Sequence, residues 1–328
     1  MTRRFFVGYA LQILRDPAEQ PTGYHHESGR DPNRPRRKGG KRVTLMAHAL
    51  DALNLTGALV GPEAPLGGSS APVHRISGAD GRVFALRVRP PQQALAIVRE
   101  ASNARLAAEL GVGPRVVGVH CGPKVACLLT EWVAGSSLVA CLVKEPQRIT
   151  VWARAAGKFQ AAMHDAGRGH PGLGQLDVGW ARPHSAAEVH RLQQLPPCDV
   201  ATLVHLDFHP MNLVVTGDAT MAAVDWVNAG VGDRRLDVAR TVACMALDGP
   251  TQGPFGFWIP AFVATFVQGY EESVGALSDM APFVRWAAEA TLRDVRPKRS
   301  PEQVARMEAV ARRWDESAAW PPDGASNA

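Results

Sequence analysis

The sequence has few of the features that mark disulfide-bonded, zinc-binding or membrane-spanning proteins. Its 328 residues include five cysteines, an odd number, and no CxxC pair. This argues against a disulfide framework or a structural zinc site, so we predict buried thiols in a reducing cytosol and a cytoplasmic protein. The longest N-terminal apolar run, at positions 5–14, is far shorter than the roughly 20 residues that span a bilayer. We therefore expect no membrane partner.

Aromatic residues are also scarce, at 6% of the chain, but hydrophobic residues reach 46%. This is enough apolar material for a globular core and excludes disorder of the whole chain. The net charge of +5 is unevenly distributed: positions 1–43 hold 10 Lys and Arg and 4 acids, and the rest of the chain holds 26 and 27. Because the body is close to neutral, we expect no nucleic-acid partner for it. We expect the protein to be a monomer or dimer.

Positions 1–43 are predicted to form a disordered basic tail, because positions 15–42 are rich in Pro, Gly, Arg and His without hydrophobic periodicity. The basic cluster at 34–42 would also suit a nucleic-acid arm. A third hypothesis is that the tail is not native. Lys-Gly-Gly-Lys at 38–41 is what a purine-rich ribosome-binding site would encode, which would make Val43 or Met46 the true start.

The periodicity from position 44 onward predicts an α+β fold in two lobes. Alternating segments at 72–77, 82–88, 115–120 and 124–130, with helical spacing at 91–111, predict a small antiparallel sheet with one inserted helix in residues 44–133. The second lobe, 134–328, is predicted to be mostly helical. It should also contain a strand at 201–204 and a hairpin over 213–224.

One loop carries the residues that point to chemistry. His205, Asp207 and Asn212 reproduce the HxDxxxxN spacing of kinase catalytic loops, and Asp225 follows across the hairpin. An aspartate here can accept a hydroxyl proton, and Asn212 and Asp225 can supply hard oxygen ligands to Mg²⁺. Besides a base and metal ligands, phosphoryl transfer requires mainly that the substrates are positioned and that the triphosphate is bound. The alternative is that His205, Asp207 and His209 are metal ligands at alternating strand positions.

The segments 205–212, 224–226, 232–233 and 237–240 together resemble the signature of the aminoglycoside phosphotransferase and choline kinase superfamily. The resemblance implies a protein-kinase-like fold, ATP and Mg²⁺ as cofactors, Asp207 as the catalytic residue, and Asn212 and Asp225 as metal ligands. Leu206 departs from the family pattern, which has Gly beside the catalytic Asp.

The resemblance also implies a nucleotide site in the N-terminal lobe. A phosphate-covering loop is expected at Gly67, Gly68, Ser69 and Ser70. Arg87 stands where the family usually has Lys. The alternative is that Arg87 is a surface residue of its strand without the role of that Lys. Glu100 is the best candidate to pair with Arg87, and Glu109 is its competitor. The backbones of Glu131 and Val133 are expected to bond the adenine. His164, at the end of a predicted helix, is interpreted as structural.

The acceptor is left open by the sequence. An aminoglycoside-type antibiotic or similar hydroxyl compound is the first hypothesis, and choline, ethanolamine or thiamine is the alternative. A nucleotide-binding pseudokinase is a further class, although Asp207, Asn212 and Asp225 are all present. The segment 255–295 contains acids that would suit a polycation and aromatics that would suit a quaternary amine. The acids are equally explained as a solvated helix face, and the aromatics as part of a core.

Overall fold

The computed structural model describes residues 39–55, 57–63, 73–218, 220–248, 254–316 and 319–322. The first 38 positions of the predicted tail and the predicted phosphate-covering loop at Gly67, Gly68, Ser69 and Ser70 lie outside the described residues. The first described helix, α1, spans Gly39–Ala52. Positions 39–43, which we assigned to the disordered tail, are therefore helical.

The N-terminal lobe is built on a five-stranded antiparallel sheet in the order β1-β2-β3-β5-β4. Its strands are β1 (Leu59–Glu63), β2 (Val73–Ser77), β3 (Val83–Arg89), β4 (Val116–Cys121) and β5 (Ala126–Glu131), and helix α2 (Ala94–Glu109) is inserted between β3 and β4. This confirms the predicted sheet with one inserted helix. The predicted boundary at residue 133 falls in the segment between β5 and the next strand.

The two faces of this sheet are covered by different helices, because alternate residues of a strand point to opposite sides. Cys127 and Leu129 of β5 pack in a cluster with Ala49 of α1. Their neighbours Ala126 and Leu128 pack instead in a cluster with Ile97 and other α2 residues. Helix α2 is thereby fixed over the face of the sheet opposite α1.

The C-terminal lobe is larger and mostly helical, so the α+β fold class is confirmed. Its helices are α3 (Leu138–Lys144), α4 (Ile149–Gly167), α5 (Ala186–Gln193), α6 (Arg234–Asp248), α7 (Pro254–Val274), α8 (Met280–Val295) and α9 (Pro301–Glu316). Its short strands are β6 (Ser136–Ser137), β7 (Ala201–Val204), β8 (Leu213–Val215), β9 (Met221–Ala223) and β10 (Gly230–Asp233). β7 pairs with β10, and β6, β8 and β9 form a separate sheet.

The prediction of buried thiols is correct for one cysteine only. Cys127 is buried inside the N-terminal sheet, whereas Cys121 and Cys198 are exposed and Cys141 and Cys244 are half-buried; all five are free. Cys121 lies at the end of the edge strand β4, with its exposed thiol 3.7 Å from the Ala94 carbonyl at the start of α2. In the part of the chain that the structure describes, every helix is too short or too polar to cross a membrane.

Candidate active site

The loop between β7 and β8 brings Asp207 and Asn212 together. The Asn212 side-chain amide donates to the Asp207 carbonyl at 3.0 Å and to its carboxylate at 3.2 Å. His209 lies beside Asn212 at the same carboxylate, with its Nε2 3.4 Å from Asp207 Oδ1 and 3.4 Å from the Asn212 amide nitrogen. The Asp207 side chain is about one fifth exposed, so it is held by two partners and still open to a ligand.

The charge state of Asp207 is fixed by its neighbours. Burial alone would favour the neutral acid, but the hydrogen bond and charge of His209, with the more distant Arg240 guanidinium, hold the pKa of Asp207 below its ordinary value. The carboxylate is therefore ionised throughout the physiological pH range. It can orient a hydroxyl group and accept its proton.

Asp237 supports the backbone immediately before Asp207. Its Oδ2 accepts the N–H of His205 at 2.8 Å and its Oδ1 accepts the N–H of Leu206 at 2.7 Å. Leu206 has φ 58°, in the left-handed region that disfavours branched side chains, and its side chain is completely buried. The unusual Leu beside Asp207 is thus accommodated by a carboxylate that holds its backbone and a core that covers its side chain.

His205 connects this loop to the segment that carries Asp225. Its Nε2 lies 3.0 Å from the carbonyl of Val224, and its ring packs on Trp226 with 4.6 Å between centroids. Burial lowers the pKa of His205, so the ring is neutral and Nε2 donates. The metal-ligand alternative for His205 and His209 is not supported, since one nitrogen of His205 is committed to a carbonyl and the ring is buried in the core.

Arg87 lies between two carboxylates. Its Nε is 2.9 Å from Glu100 Oε1, and its Nη2 is 2.9 Å from Asp225 Oδ1. Arg87 and Glu100 are both about 95% buried or more, and Asp225 is 18% exposed. Arg87 follows Leu86 in β3, so it points to the α2 face of the sheet, where Glu100 lies. The surface alternative for Arg87 is therefore wrong, and Glu109 is exposed at the end of α2.

Asn103 is a residue of this region that the sequence reasoning missed. From one turn beyond Glu100, its buried amide donates to the carbonyls of Trp226 at 3.1 Å and Ala229 at 2.7 Å. An amide one helical turn from Glu100, on the side of α2 that also carries the apolar residues, is the signal in the sequence that could have found it.

The predicted adenine contacts lie at the end of β5. Glu131 is the last residue of that strand, and its side chain forms ion pairs with Arg115 and Arg82 at the surface. The N–H of Trp132 donates to the Val83 carbonyl at 3.1 Å, and Val133 follows just beyond the strand. The backbone of this segment connects the two lobes.

The oxygen donors of Asn212 and Asp225 are of the kind that suits a magnesium ion. The amide oxygen of Asn212 and the carboxylate of Asp225 are hard oxygen ligands, and Val224 N–H donates to the Asn212 carbonyl at 2.9 Å, which joins the two segments. Among the described residues, no group of three or more His, Cys, Asp or Glu could hold a metal on its own. Two protein ligands completed by phosphate oxygens and water fit Mg²⁺ better than an all-protein cage.

A model of the family described as "Phosphotransferase enzyme family" matches residues 63–283, more than half of the chain. No curated protein matches the sequence.

Solved structures with the same fold include several kinases of small molecules. An aminoglycoside-3'-phosphotransferase of type VIII is 22% identical, with a TM-score of 0.54 over 75% of this chain and 98% of its own. Amicoumacin kinase hAmiN, solved with AMP-PNP, Ca²⁺ and Ami, is 15% identical, with a TM-score of 0.58 over 85% and 94%. A mutant of aminoglycoside phosphotransferase APH(4)-Ia, solved with ADP and hygromycin B, is 14% identical, with a TM-score of 0.57 over 84% and 99%.

Proposed function

The chain belongs to the phosphotransferase enzyme family, and from this premise we propose that it uses ATP to phosphorylate a hydroxyl group of a small molecule. The observation that carries the proposal is the position of Arg87. A buried guanidinium bridges the carboxylates of Glu100 and Asp225, beside a loop in which Asp207 is ionised and open to solvent. Cation, metal ligand and base are the parts that phosphoryl transfer requires.

Each residue has a separate role in this proposal. Arg87 binds the α- and β-phosphates, and Glu100 keeps it in position; the fork of an Arg can hold two oxygens where a Lys holds one. The backbone of Glu131 and Val133 binds the adenine. Asn212 and Asp225 would hold Mg²⁺, which would neutralise charge on the phosphate oxygens.

The chemical step follows from the position of Asp207. The acceptor hydroxyl donates its hydrogen bond to the carboxylate and attacks the γ-phosphorus, so a new O–P bond forms as the bond to the β-phosphate oxygen breaks. The hydroxyl proton passes to Asp207, and ADP leaves with the electron pair of the broken bond. His209 and Asn212 keep the carboxylate aimed at the acceptor.

The nature of the acceptor has to be found by a screen. In helices α7 and α8, the acids that would suit a polycation are largely engaged: Glu272 with Arg154 and Lys158, Glu289 with Arg191, and Asp294 with Arg240. The aromatic residues Tyr270 and Trp286 are buried. Neither set favours an aminoglycoside over choline, ethanolamine or thiamine as the acceptor.

The test is coupled ADP release with aminoglycosides, macrolides, choline, ethanolamine, thiamine and homoserine as acceptors. Asp207→Ala is expected to lower kcat by about 100-fold or more with little effect on Mg-ATP binding. Asp225→Ala is expected to weaken Mg-ATP binding instead. Asp218→Asn, in the exposed turn between β8 and β9, is the matched control and should behave as wild type. Wild-type turnover in Asp207→Ala would contradict the proposed base, and Mg-ATP binding without any turnover would favour the pseudokinase.

A further inference from the structure

Helices α4 and α7 approach each other so closely that only glycine fits at the crossing. A Cβ on Gly157 would lie 2.1 Å from the Phe266 carbonyl oxygen and 2.8 Å from the Tyr270 nitrogen, and a Cβ on Gly269 would lie 2.3 Å from the Arg154 carbonyl oxygen. Since nothing can be inserted between the two backbones, the position of Tyr270 relative to α4 is fixed. Its side chain reaches the far end of α4, where His164 lies.

A chain of buried hydrogen bonds runs from Tyr270 to the loop that carries Asp207. The Tyr270 hydroxyl is 2.8 Å from His164 Nδ1, and His164 Nε2 is 3.0 Å from Asp237 Oδ2. Asp237 in turn accepts the N–H groups of His205 and Leu206. The side chains of Tyr270, His164 and Asp237 are each 1% exposed or less, so water cannot replace any partner in this chain.

The protonation states of Asp237 and Tyr270, at the two ends of this chain, determine which nitrogen of His164 carries a proton. Two backbone N–H groups require acceptors from Asp237. Burial favours the neutral acid, but the hydrogen bond from His164 and, more weakly, the one from the His205 N–H hold the pKa of Asp237 below its ordinary value. An ionised Asp237 accepts only, so the proton between it and His164 is on Nε2. Burial raises the pKa of Tyr270, and its phenol is a donor as well as an acceptor.

The remaining direction follows from the His164 ring. A neutral ring protonated at Nε2 has an unprotonated Nδ1, which can only accept. The Tyr270 hydroxyl, 2.8 Å from Nδ1, is the donor that it meets. Each donor along the path from Tyr270 of α7 through His164 to the backbone N–H of Leu206 then has an acceptor.

We propose that Tyr270 is a positioning residue for the phosphoryl-transfer step: by donating to Nδ1 it holds His164 as the Nε2–H tautomer, which orients Asp237 and thereby the backbone that aims Asp207. Tyr270 touches neither substrate nor Asp207. It acts through His164 and Asp237, in the way that outer partners fix the tautomer of a functional histidine. The kinetic part of this inference rests on the proposed function.

The kinetic test compares the removal of two buried hydroxyl groups that bond the same histidine. Tyr270→Phe deletes the donor to the His164 ring, whereas Thr202→Val deletes the hydroxyl that donates to the His164 carbonyl at 2.7 Å. We expect Tyr270→Phe to lower kcat for ATP turnover by about 10-fold with KM for Mg-ATP within about twofold. Thr202→Val should keep wild-type kcat while losing thermal stability. Equal kcat in Tyr270→Phe and wild type, or equal losses in both variants, would overturn the proposal.

A spectroscopic test remains informative if Tyr270→Phe does not fold. The ring ¹⁵N resonances of His164 in the intact wild-type protein, assigned by their loss in His164→Gln, should show a neutral ring protonated at Nε2 with a hydrogen-bonded Nδ1. A ring protonated at Nδ1, or at both nitrogens, would overturn the proposal. Asp207→Asn should abolish turnover and leave this spectrum unchanged. A wild-type protein without ATP turnover would therefore refute the proposed function alone.

Discussion

Arg87 Nη2 lies 2.9 Å from Oδ1 of Asp225, so the residue proposed to bind phosphate is in direct contact with a residue proposed to bind Mg²⁺. Both partners are largely withdrawn from water, which strengthens their attraction. In the proposed complex with Mg-ATP, phosphate oxygens would become the partners of Arg87 and the metal would become the partner of Asp225. The ion pair would therefore keep both side chains in place before the nucleotide binds.

Replacing Arg87 by Met is expected to weaken Mg-ATP binding by about 10- to 100-fold, which corresponds to the loss of a charge-assisted hydrogen bond of roughly 1.5–3 kcal/mol. Isothermal titration calorimetry measures this directly. Arg75→Met is the control, because Arg75 lies exposed on the adjacent strand β2. Unchanged Mg-ATP affinity in Arg87→Met would contradict the assignment of Arg87 to the phosphates.

Turnover is expected to depend on the ionisation of Glu100. Burial raises the pKa of Glu100 to about 7, although the Arg87 charge opposes the rise. Because only the ionised carboxylate pairs with Arg87, kcat/KM for Mg-ATP should increase with pH through about 7. A pH–rate profile measures this, and Glu100→Gln should lack that acidic limb. A limb that persists in Glu100→Gln would assign it to another group.

The raised pKa of Glu100 has the opposite effect on stability: the free energy of unfolding should fall, not rise, with increasing pH. A carboxyl whose pKa is higher in the folded than in the unfolded protein stabilises the fold fully below its unfolded pKa, and this contribution is lost as the pH rises through the folded value. For Glu100 the window is about pH 4.5–7. The free energy of unfolding of wild type relative to Glu100→Gln, measured in urea, is expected to decrease across it. A difference that stays flat with pH would contradict the raised pKa.

At position 206, the Gly variant should be more stable than the Ala variant, which reverses the usual order of stability. At most positions Ala is the more stabilising of the two, but the left-handed backbone here costs a residue with a Cβ about 1–2 kcal/mol. Leu206→Gly is therefore expected to be more stable than Leu206→Ala by about 1 kcal/mol in urea unfolding. Both should be less stable than wild type, because each loses the buried side chain. A more stable Ala variant would mean that the loop does not keep this conformation in solution.

Asn103→Ala is expected to destabilise the protein by about 1–3 kcal/mol, because two buried carbonyls lose their donor. Chemical denaturation is the measurement, and Ser102→Ala is the control. The Ser102 hydroxyl only donates to the carbonyl of Val98 in its own helix, so its removal should change the free energy of unfolding by about 0.5 kcal/mol or less. Equal effects of the two substitutions would show that the Asn103 contacts carry no net stabilisation.

Local patterns were enough to predict most strands of the N-terminal sheet, its inserted helix and the loop that carries Asp207. Strand alternation located β2 to β5, the helical period located α2 with Glu100 on its inner face, and the spacing of the loop located Asp207 and Asn212. These features depend on residues that are close in sequence. The tail boundary was wrong at positions 39–43, because Gly-Gly at 39–40 is atypical of a helix and α1 is held by its contacts with the sheet.

The contacts that complete the site join residues far apart in sequence. Asp237 bonds the backbone of Leu206 across 31 positions, and Asn103 bonds Ala229 across 126. No local pattern encodes such pairs, since they depend on how α6 and α2 pack. The left-handed conformation of Leu206 was likewise not predictable, because it is favourable only with the carboxylate of Asp237 in place.

The bonds of Asn103 also determine what a separation of the two lobes would break. They tie α2 to the segment after Asp225 in the C-terminal lobe, and α2 also packs on the sheet through Ile97. Arg87 of the sheet contacts Asp225 directly. A movement of the sheet and α2 away from the C-terminal lobe would therefore have to break two neutral hydrogen bonds and one largely buried ion pair together.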